Sequence, residues 1–341
     1  MGSRFTPLLF LLFMISIPFS SSSKSDNINN KNNNYKLSLD YYKRTCPDFD
    51  RIVREQIQDK QSKQPTTAAG TVRLLLHDCM VSGCDGSILI ASNSFNKAER
   101  DADINLSLPG DAFDVVTRIK TILELSCPGV VSCSDILAEA TRDLIVMQGG
   151  PFYTVPLGRK DGLVSKAETV EGNLPRSNMS MDQMLKIFEV KGFSAREMVA
   201  LMGAHTIGFA HCTEFKDRIY RYGKKTPTDP EINPKYAEAL KSLCAKDTNG
   251  TMSAFNDVLT PNKFDNMYFK NLPRGLAALA SDHMLIKDPR TKGFAEWFAA
   301  NQTAFFEEFG RGMQKLGALN VKTGNDGEVR RRCDTFNDVQ N

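Results

Sequence analysis

Apolar positions recur at helical rather than strand spacing along most of the chain. Over residues 47–62, Ile52, Val53 and Ile57 fall on one face among charged neighbours, which predicts an amphipathic helix. Residues 66–79, rich in Ala and Leu, predict a second. Residues 111–126 and 132–147 predict two more, the latter closed by Gly149-Gly150-Pro151. Ser180-Met181-Asp182-Gln183 and Ser194-Ala195-Arg196-Glu197 have the form of a capping box, so each opens a helix. The second of these runs into His205 and stops near Gly208. Residues 233–244, 264–272 and 291–319 complete the helical set. Strand signals are few: residues 152–156, hairpinned with 162–165, and a short piece near Glu328. No strand–helix alternation and no internal repeat appears, so the fold class is mainly α with long loops between helices.

The N-terminus changes the picture of where this chain works. A basic start (Arg4), an apolar run from Leu8 to Pro18 and small residues beyond it describe a secretory signal peptide over residues 1–23. The run is shorter than the ~20 residues a membrane span needs, and no later stretch is long and apolar enough. Residues 24–36, rich in Ser and Asn, read as a disordered leader, residues 37–333 as the folded domain and residues 334–341 as a short tail. A formal net charge of +3 with no concentrated basic stripe argues against nucleic-acid binding. Eight cysteines in a secreted chain imply disulfides, although eight allow on the order of a hundred connectivities and spacing does not choose among them. Zinc is disfavoured by the Cys79–Cys84 spacing, and covalent haem attachment by the lack of Cys-x-x-Cys-His. Asn178, Asn249 and Asn301 head glycosylation sequons. Asn105 heads another, in a segment expected to be buried.

Two segments carry chemistry. Arg73 and His77 stand four apart, on one face of a helix made apolar by Leu74, Leu75 and Leu76. An arginine in apolar surroundings needs an anion or a developing negative charge, which suits peroxide chemistry with His77 moving a proton. Asp78, Asp85 and Ser87, with the carbonyls of Val81 and Gly83, offer enough oxygen ligands for Ca²⁺. A parallel oxygen set follows His205: Thr206, Asp257, Thr260, the Lys263 carbonyl and Asp265.

Arg73-Leu-Leu-Leu-His-Asp-Cys with Gly83-Cys-Asp-Gly-Ser, and Gly203-Ala-His-Thr-Ile-Gly, resemble the two haem-flanking signatures of secreted plant (class III) peroxidases, the horseradish peroxidase family. The resemblance runs from about Leu37 to Cys333. It includes Cys127-Pro-Gly-Val-Val-Ser-Cys133, Pro156-Leu-Gly-Arg-Lys-Asp161, Asn173-Leu-Pro175 and Ser281-Asp282. It implies one b-type haem between distal and proximal helical halves and two Ca²⁺ per chain. His77 would be the distal acid–base group, kept basic by Asn105, and Arg73 would polarise peroxide. His205 would bind iron, with Asp282 accepting its ring proton, and Pro175 would line the mouth where aromatic donors dock. The distal Ca²⁺ would take Asp78, Val81, Gly83, Asp85 and Ser87, with Glu99 acting through water. The proximal Ca²⁺ would take Thr206, Asp257, Thr260, Lys263 and Asp265. The implied disulfides are Cys46–Cys127, Cys79–Cys84, Cys133–Cys333 and Cys212–Cys244.

The implied activity is reduction of H₂O₂ to water with one-electron oxidation of phenolic donors, by a monomer secreted to the apoplast. The competing reading is a catalytically weak, Ca²⁺-stabilised wall protein that keeps the fold for binding; intact Arg73, His77, Asn105, His205 and Asp282 argue against it. Departures from the family pattern are Leu76 and Met80 where aromatics are usual, and Asn256 before Asp257. Glu214 and Asp103 replace aromatics at the donor entrance, against tight binding of small aromatic acids. His211 reads as a surface or packing residue, His283 as a loop residue and Trp297 as core. Arg330-Arg331-Arg332 reads as a solvated face, with acidic cell-wall polymers as its one candidate partner.

Overall fold

Helices in the N-terminal half each bury an apolar face against the others. They are α1 (Phe49–Lys63), α2 (Thr67–Val81), α3 (Gly110–Ser126) and α4 (Cys133–Met147) in a computed structural model that describes residues 37–337. The signal-peptide and leader readings, and the last four residues, lie outside the described residues. In α1 the predicted stripe of Ile52, Val53 and Ile57 is buried, against α3 and α4. The interior helix is α2: it packs on α3 and α4 and reaches α12, and His77 and Asp78 are buried with its apolar residues.

The C-terminal half begins with α5 (Met181–Val190) and α6 (Ala195–Met202), each opened by the predicted capping box. Then follow β1 (Phe209–His211), α7 (Cys212–Tyr220), α8 (Pro234–Cys244) and β2 (Ser253–Phe255). The order ends with α9 (Met267–Asn271), α10 (Ala280–Met284), α11 (Pro289–Ala300) and α12 (Gln302–Gly317). Helix α6 packs between α11 and α12, and Phe264, Phe269, Phe298, Phe305 and Phe309 form an aromatic cluster beside it. One apolar core runs through both halves, and a satellite core under α7 and α8 is built on Phe215, Ile219 and Leu240. No helix among the described residues is long and apolar enough to cross a membrane.

All four implied disulfides are present, and no cysteine among the described residues is free. Cys133–Cys333 and the Asp161 carboxylate tie the C-terminal segment to the start of α4. Asp161 accepts from the Cys133, Ser134 and Arg330 backbone N–H groups.

Four expectations are corrected. The long helix over 291–319 is two helices, because Asn301 is extended (φ −137°, ψ 97°) and its side chain accepts from Ala304 N to cap the second. Residues 152–156 and 162–165 do not pair with each other. That region instead makes single bridges to distant chain, Lys160 to Lys322 and Asp161 to Glu328. The two-stranded sheet lies elsewhere, β1 antiparallel to β2 with Ala210 opposite Ala254. Trp297 is 40% exposed rather than core, and Arg330 is fully buried, donating to the carbonyls of Gly86 and Gly162.

The deepest ion pair joins Arg159 to Asp135 at 2.8 Å, both essentially without exposure. Arg159 also donates to the Gly317 carbonyl at 2.6 and 2.9 Å, linking α4 to the end of α12. Breaking a buried pair from one side leaves a charge uncompensated. Arg159→Met is therefore expected to destabilise the protein by about 3–5 kcal/mol, read as a lower midpoint in chemical denaturation.

Candidate active site

The helical rise of α2 places Arg73 and His77 one turn apart on the same face. The Arg73 Nε–H donates to His77 Nε2 at 3.2 Å. The rest of its guanidinium is clamped by the carbonyls of Ile104 and Ser107 and by Ser107 Oγ at 3.0 Å. His77 Nδ1 lies 2.6 Å from Asn105 Oδ1, and Asn105 Nδ2 donates to the Glu99 carbonyl at 2.7 Å. With its amide nitrogen committed to Glu99, Asn105 can only accept from His77, so Nδ1 carries the ring proton and Nε2 the lone pair. Burial, and then the Arg73 cation, push the His77 pKa down to about 3, while Asn105 pulls the other way. The imidazole is thus neutral across the physiological range, a base with its lone pair toward Arg73.

His205 sits in a single 3₁₀ turn, Gly203–Thr206, that continues α6. That turn lies directly on the aromatic cluster: a Cβ on Gly203 would stand 2.4 Å from Phe305 and 2.9 Å from Phe269. His205 Nδ1 is 2.9 Å from Asp282 Oδ1 at the start of α10. Burial opposes the charged ring, but Asp282 outweighs it and raises the His205 pKa above its ordinary value. The carboxylate accepts, so Nδ1 again carries the proton and Nε2 is left as a lone pair. The His205 side chain keeps 34% exposure although buried elements surround it, and Tyr268 meets its ring edge-on at 6.0 Å. The Arg73 cation disfavours protonation of both histidines. A neutral imidazole anchored by a carboxylate fits the haem iron that the resemblance implies.

The loop after α2 is closed by Cys79–Cys84 and gathers Asp78, Asp85, Ser87 and Glu99, all buried. Asp78 accepts from Gly86 and Ile88 N–H, Asp85 from Ser87 N–H, and Glu99 from Ser87 Oγ. Burial and then the Asp85 charge raise the Asp78 pKa above its ordinary value, and burial with the Asp78 and Asp85 charges pushes Glu99 up to about 8. Sequence reading missed two lysines here: Lys191 donates to the Val81 carbonyl at 3.2 Å and Lys322 to Asp85 Oδ2 at 2.5 Å. Gly162 also abuts this carboxylate; a Cβ there would lie 2.3 Å from Asp85 Oδ2.

The second loop brings its five residues together as well. Thr260 Oγ1 bonds the carboxylates of Asp257 and Asp265, and Thr206 Oγ1 bonds the Lys263 carbonyl and Asp265 N–H. No three His, Cys, Asp or Glu side chains among the described residues converge on a metal position. Each loop offers two close carboxylates plus hydroxyl and carbonyl oxygens, a hard-cation set that suits Ca²⁺ and not zinc.

Pro175 lies half-buried on a strip with Arg176 and Ser177, beside Glu214 and Asp103. Leu76 is partly buried against the core, and Asn256 is buried with Oδ1 unpartnered. Ser107 was visible only as part of a sequon; its hydroxyl and carbonyl serve Arg73, and Asn105 beside it is buried. The sequon asparagines Asn178, Asn249 and Asn301 are exposed. His283 is not the loop residue expected: it is buried in α10 and pairs with Glu231.

Residues 53–301 match the protein-family model described as Peroxidase. Peroxidase 41 of Arabidopsis thaliana is 65% identical over 302 residues, 88% of this chain and 91% of that protein. Peroxidase 65 of the same plant is 64% identical over 304 residues, 89% of this chain and 90% of its own length. Peroxidase 63 is 49% identical over 336 residues, covering 98% and 99%.

Two outcomes follow from this geometry. Asp282→Asn removes the charge that holds the His205 proton, so in the haem-free protein its imidazole is expected to titrate below the ordinary histidine value, resolved by NMR among only four histidines. Lys322→Met leaves a buried Asp85 oxygen without its cation, and without added calcium it is expected to cost about 3 kcal/mol in a denaturation series.

Proposed function

The chain belongs to the plant class III haem peroxidase family, and from that premise we propose how its own residues carry out peroxide reduction. The overall reaction takes H₂O₂ and two phenols to two waters and two phenoxyl radicals. His205 Nε2 would hold the iron of a bound haem, and that group would supply the centre that receives peroxide and the oxidising equivalents passed to donors. His77 Nε2 takes the proton from the near oxygen of peroxide and returns it to the far oxygen, which leaves as water. Arg73, clamped by Ile104 and Ser107, stabilises the negative charge that develops as the O–O bond lengthens. Asn105 keeps the His77 proton on Nδ1, so that Nε2 stays available as the base. Asp282 holds the Nδ1 proton of His205 and makes Nε2 a stronger donor to iron.

The observation that carries this reading is the pair of imidazoles anchored at Nδ1, His77 by Asn105 and His205 by Asp282, with the Arg73 guanidinium on His77 Nε2. Ca²⁺ at each oxygen-rich loop is part of the same reading, one ion bracing the Asn105 side and one the His205 side. Secretion is supported by the N-terminal apolar run, by four disulfides of the kind formed in oxidising compartments, and by exposed sequons at Asn178, Asn249 and Asn301. We read the enzyme as a monomer of the apoplast. Arg331 and Arg332, exposed beside the buried Arg330, are the contact left for acidic wall polymers.

Mixing the haem-loaded protein with equimolar H₂O₂ in a stopped-flow spectrometer tests the reading. The Soret band is expected to lose intensity rapidly and recover in two steps on adding a phenol; a band that does not respond overturns it. His77→Leu is expected to slow the peroxide step by about 10²–10⁴-fold, and Arg73→Leu by about 10²–10³-fold. Because His77 is depressed to about 3, its neutral form persists above that value. The wild-type rate should therefore hold as pH falls through 6.5 and decline only toward pH 3.

A further inference from the structure

The seam where donors would approach carries fixed charge instead of aromatic surface. Glu214, exposed in the first turn of α7, accepts from Ser177 Oγ at 2.7 Å. The Ser177 carbonyl in turn accepts from the N–H of Ser281, the residue before Asp282, at 3.1 Å. The Glu214 carboxylate also favours the Arg73 cation. It is thus tied through Ser177 to the turn that anchors the second histidine, and its charge is felt at the arginine beside His77.

Next to it, Arg176 is spent on two carboxylates, Asp103 at 3.2 Å and Glu171 at 2.7 Å. Beyond Arg176 opens a cavity of about 290 Å³ lined in part by Asp103, Ile104, Glu168 and Glu171. Its wall is continuous with the site, since the Ile104 carbonyl holds Arg73. Asp103 and Glu171 are paired with Arg176 and Glu168 with Lys166, whereas the partner in contact with exposed Glu214 is the neutral Ser177 hydroxyl.

We propose that Glu214, fixed by Ser177 and backed by Asp103, sorts reducing donors by charge, so that the enzyme prefers phenols bearing an ammonium group over phenols bearing a carboxylate. This rests on the peroxidase reading above and names its donor class. Each donor still gives up one electron and its phenolic proton, two donors per H₂O₂ reduced to two waters; the charged arm only sets how often the ring arrives in place. One charge about 6 Å away in water changes encounter by about three-fold, and exchanging ammonium for carboxylate compounds this to about ten-fold. Salt of about 0.5 M screens most of it.

The test uses the holoenzyme and three phenols that differ only in the side arm: tyramine, 3-(4-hydroxyphenyl)propionate and neutral 4-ethylphenol. At low ionic strength kcat/KM for tyramine is expected to exceed that for the propionate by about ten-fold, each expressed relative to 4-ethylphenol. The preference should shrink to about three-fold or less in high salt and in Glu214→Gln, which keeps a partner for Ser177. Equal use of the two charged phenols by the wild type at low salt, or a preference that neither salt nor Glu214→Gln alters, overturns the proposal. Oxidation of none of the three would overturn the peroxidase reading and the proposal with it.

Discussion

Everything the site does depends on which nitrogen of His77 carries the proton. An imidazole with its proton on Nε2 has no lone pair to offer Arg73 or a substrate, and the two tautomers differ little in free energy in water. The choice is made by Asn105, and Asn105 is itself oriented by the Glu99 carbonyl. Glu99 is not a free loop residue: its N–H donates to Ser165 Oγ and its carboxyl accepts from Ser87. The ring proton is thus referred, through four residues, to the buried oxygen loop that follows α2. This explains how a loop whose carboxylates make no hydrogen bond to the His77 ring belongs to the same machine. Loosening the loop lets Asn105 turn, and turning Asn105 removes the base.

The second histidine obeys the same rule with a different anchor. Asn105 is neutral: it fixes the tautomer and raises the proton affinity of His77, but not enough to outweigh burial and the Arg73 cation, so the ring stays unprotonated. Asp282 is charged and raises the proton affinity of His205, so its Nε2 is electron-rich. A group that must accept and release a proton benefits from a neutral partner; one that must stay bonded to a metal benefits from an anionic partner. Two imidazoles with identical side chains are thereby assigned different tasks by whether the neighbour is an amide or a carboxylate.

The parts legible in the sequence were those encoded within a few residues. Helix faces, both capping boxes, and the Arg73–His77 spacing are local statements about turns of helix, and the structure carries each of them. The break at Asn301 was hidden because apolar periodicity resumes in register on its far side. Only the extended backbone and the new cap at Asn301 reveal it. Strands β1 and β2, three residues each and some forty residues apart, carry no period long enough to register. Arg330 reads as one of three consecutive surface arginines, yet it is buried because two loop carbonyls far off in sequence need a donor. Lys322 is legible only once the single bridge between Lys160 and Lys322 brings the C-terminal segment alongside Asp85. The long-range pairs around Asn105 and Asp282 entered through family resemblance, since nothing local links positions separated by 28 and 77 residues.

Buried charge then sets how the fold and the site are coupled. Arg159, Arg330 and Arg218 each place a guanidinium on backbone carbonyls at a junction between distant segments: the end of α12, the loop before α3, and the turn leading into α10. A guanidinium has five donors in a fixed plane, so it can satisfy several carbonyls that helices and strands leave unpaired. Long loops between helices accumulate such carbonyls, and a water molecule at each would leave the loop free to shift. Arg218 illustrates the consequence for the site. It binds Asp229 and the carbonyls of Ala277, Ala278 and Leu279, which immediately precede the helix bearing Asp282. The carboxylate that anchors His205 is therefore positioned by an arginine that touches neither histidine. Arg73 follows the same rule, two of its nitrogens held by the Ile104 and Ser107 carbonyls, and it differs in turning its Nε–H to His77.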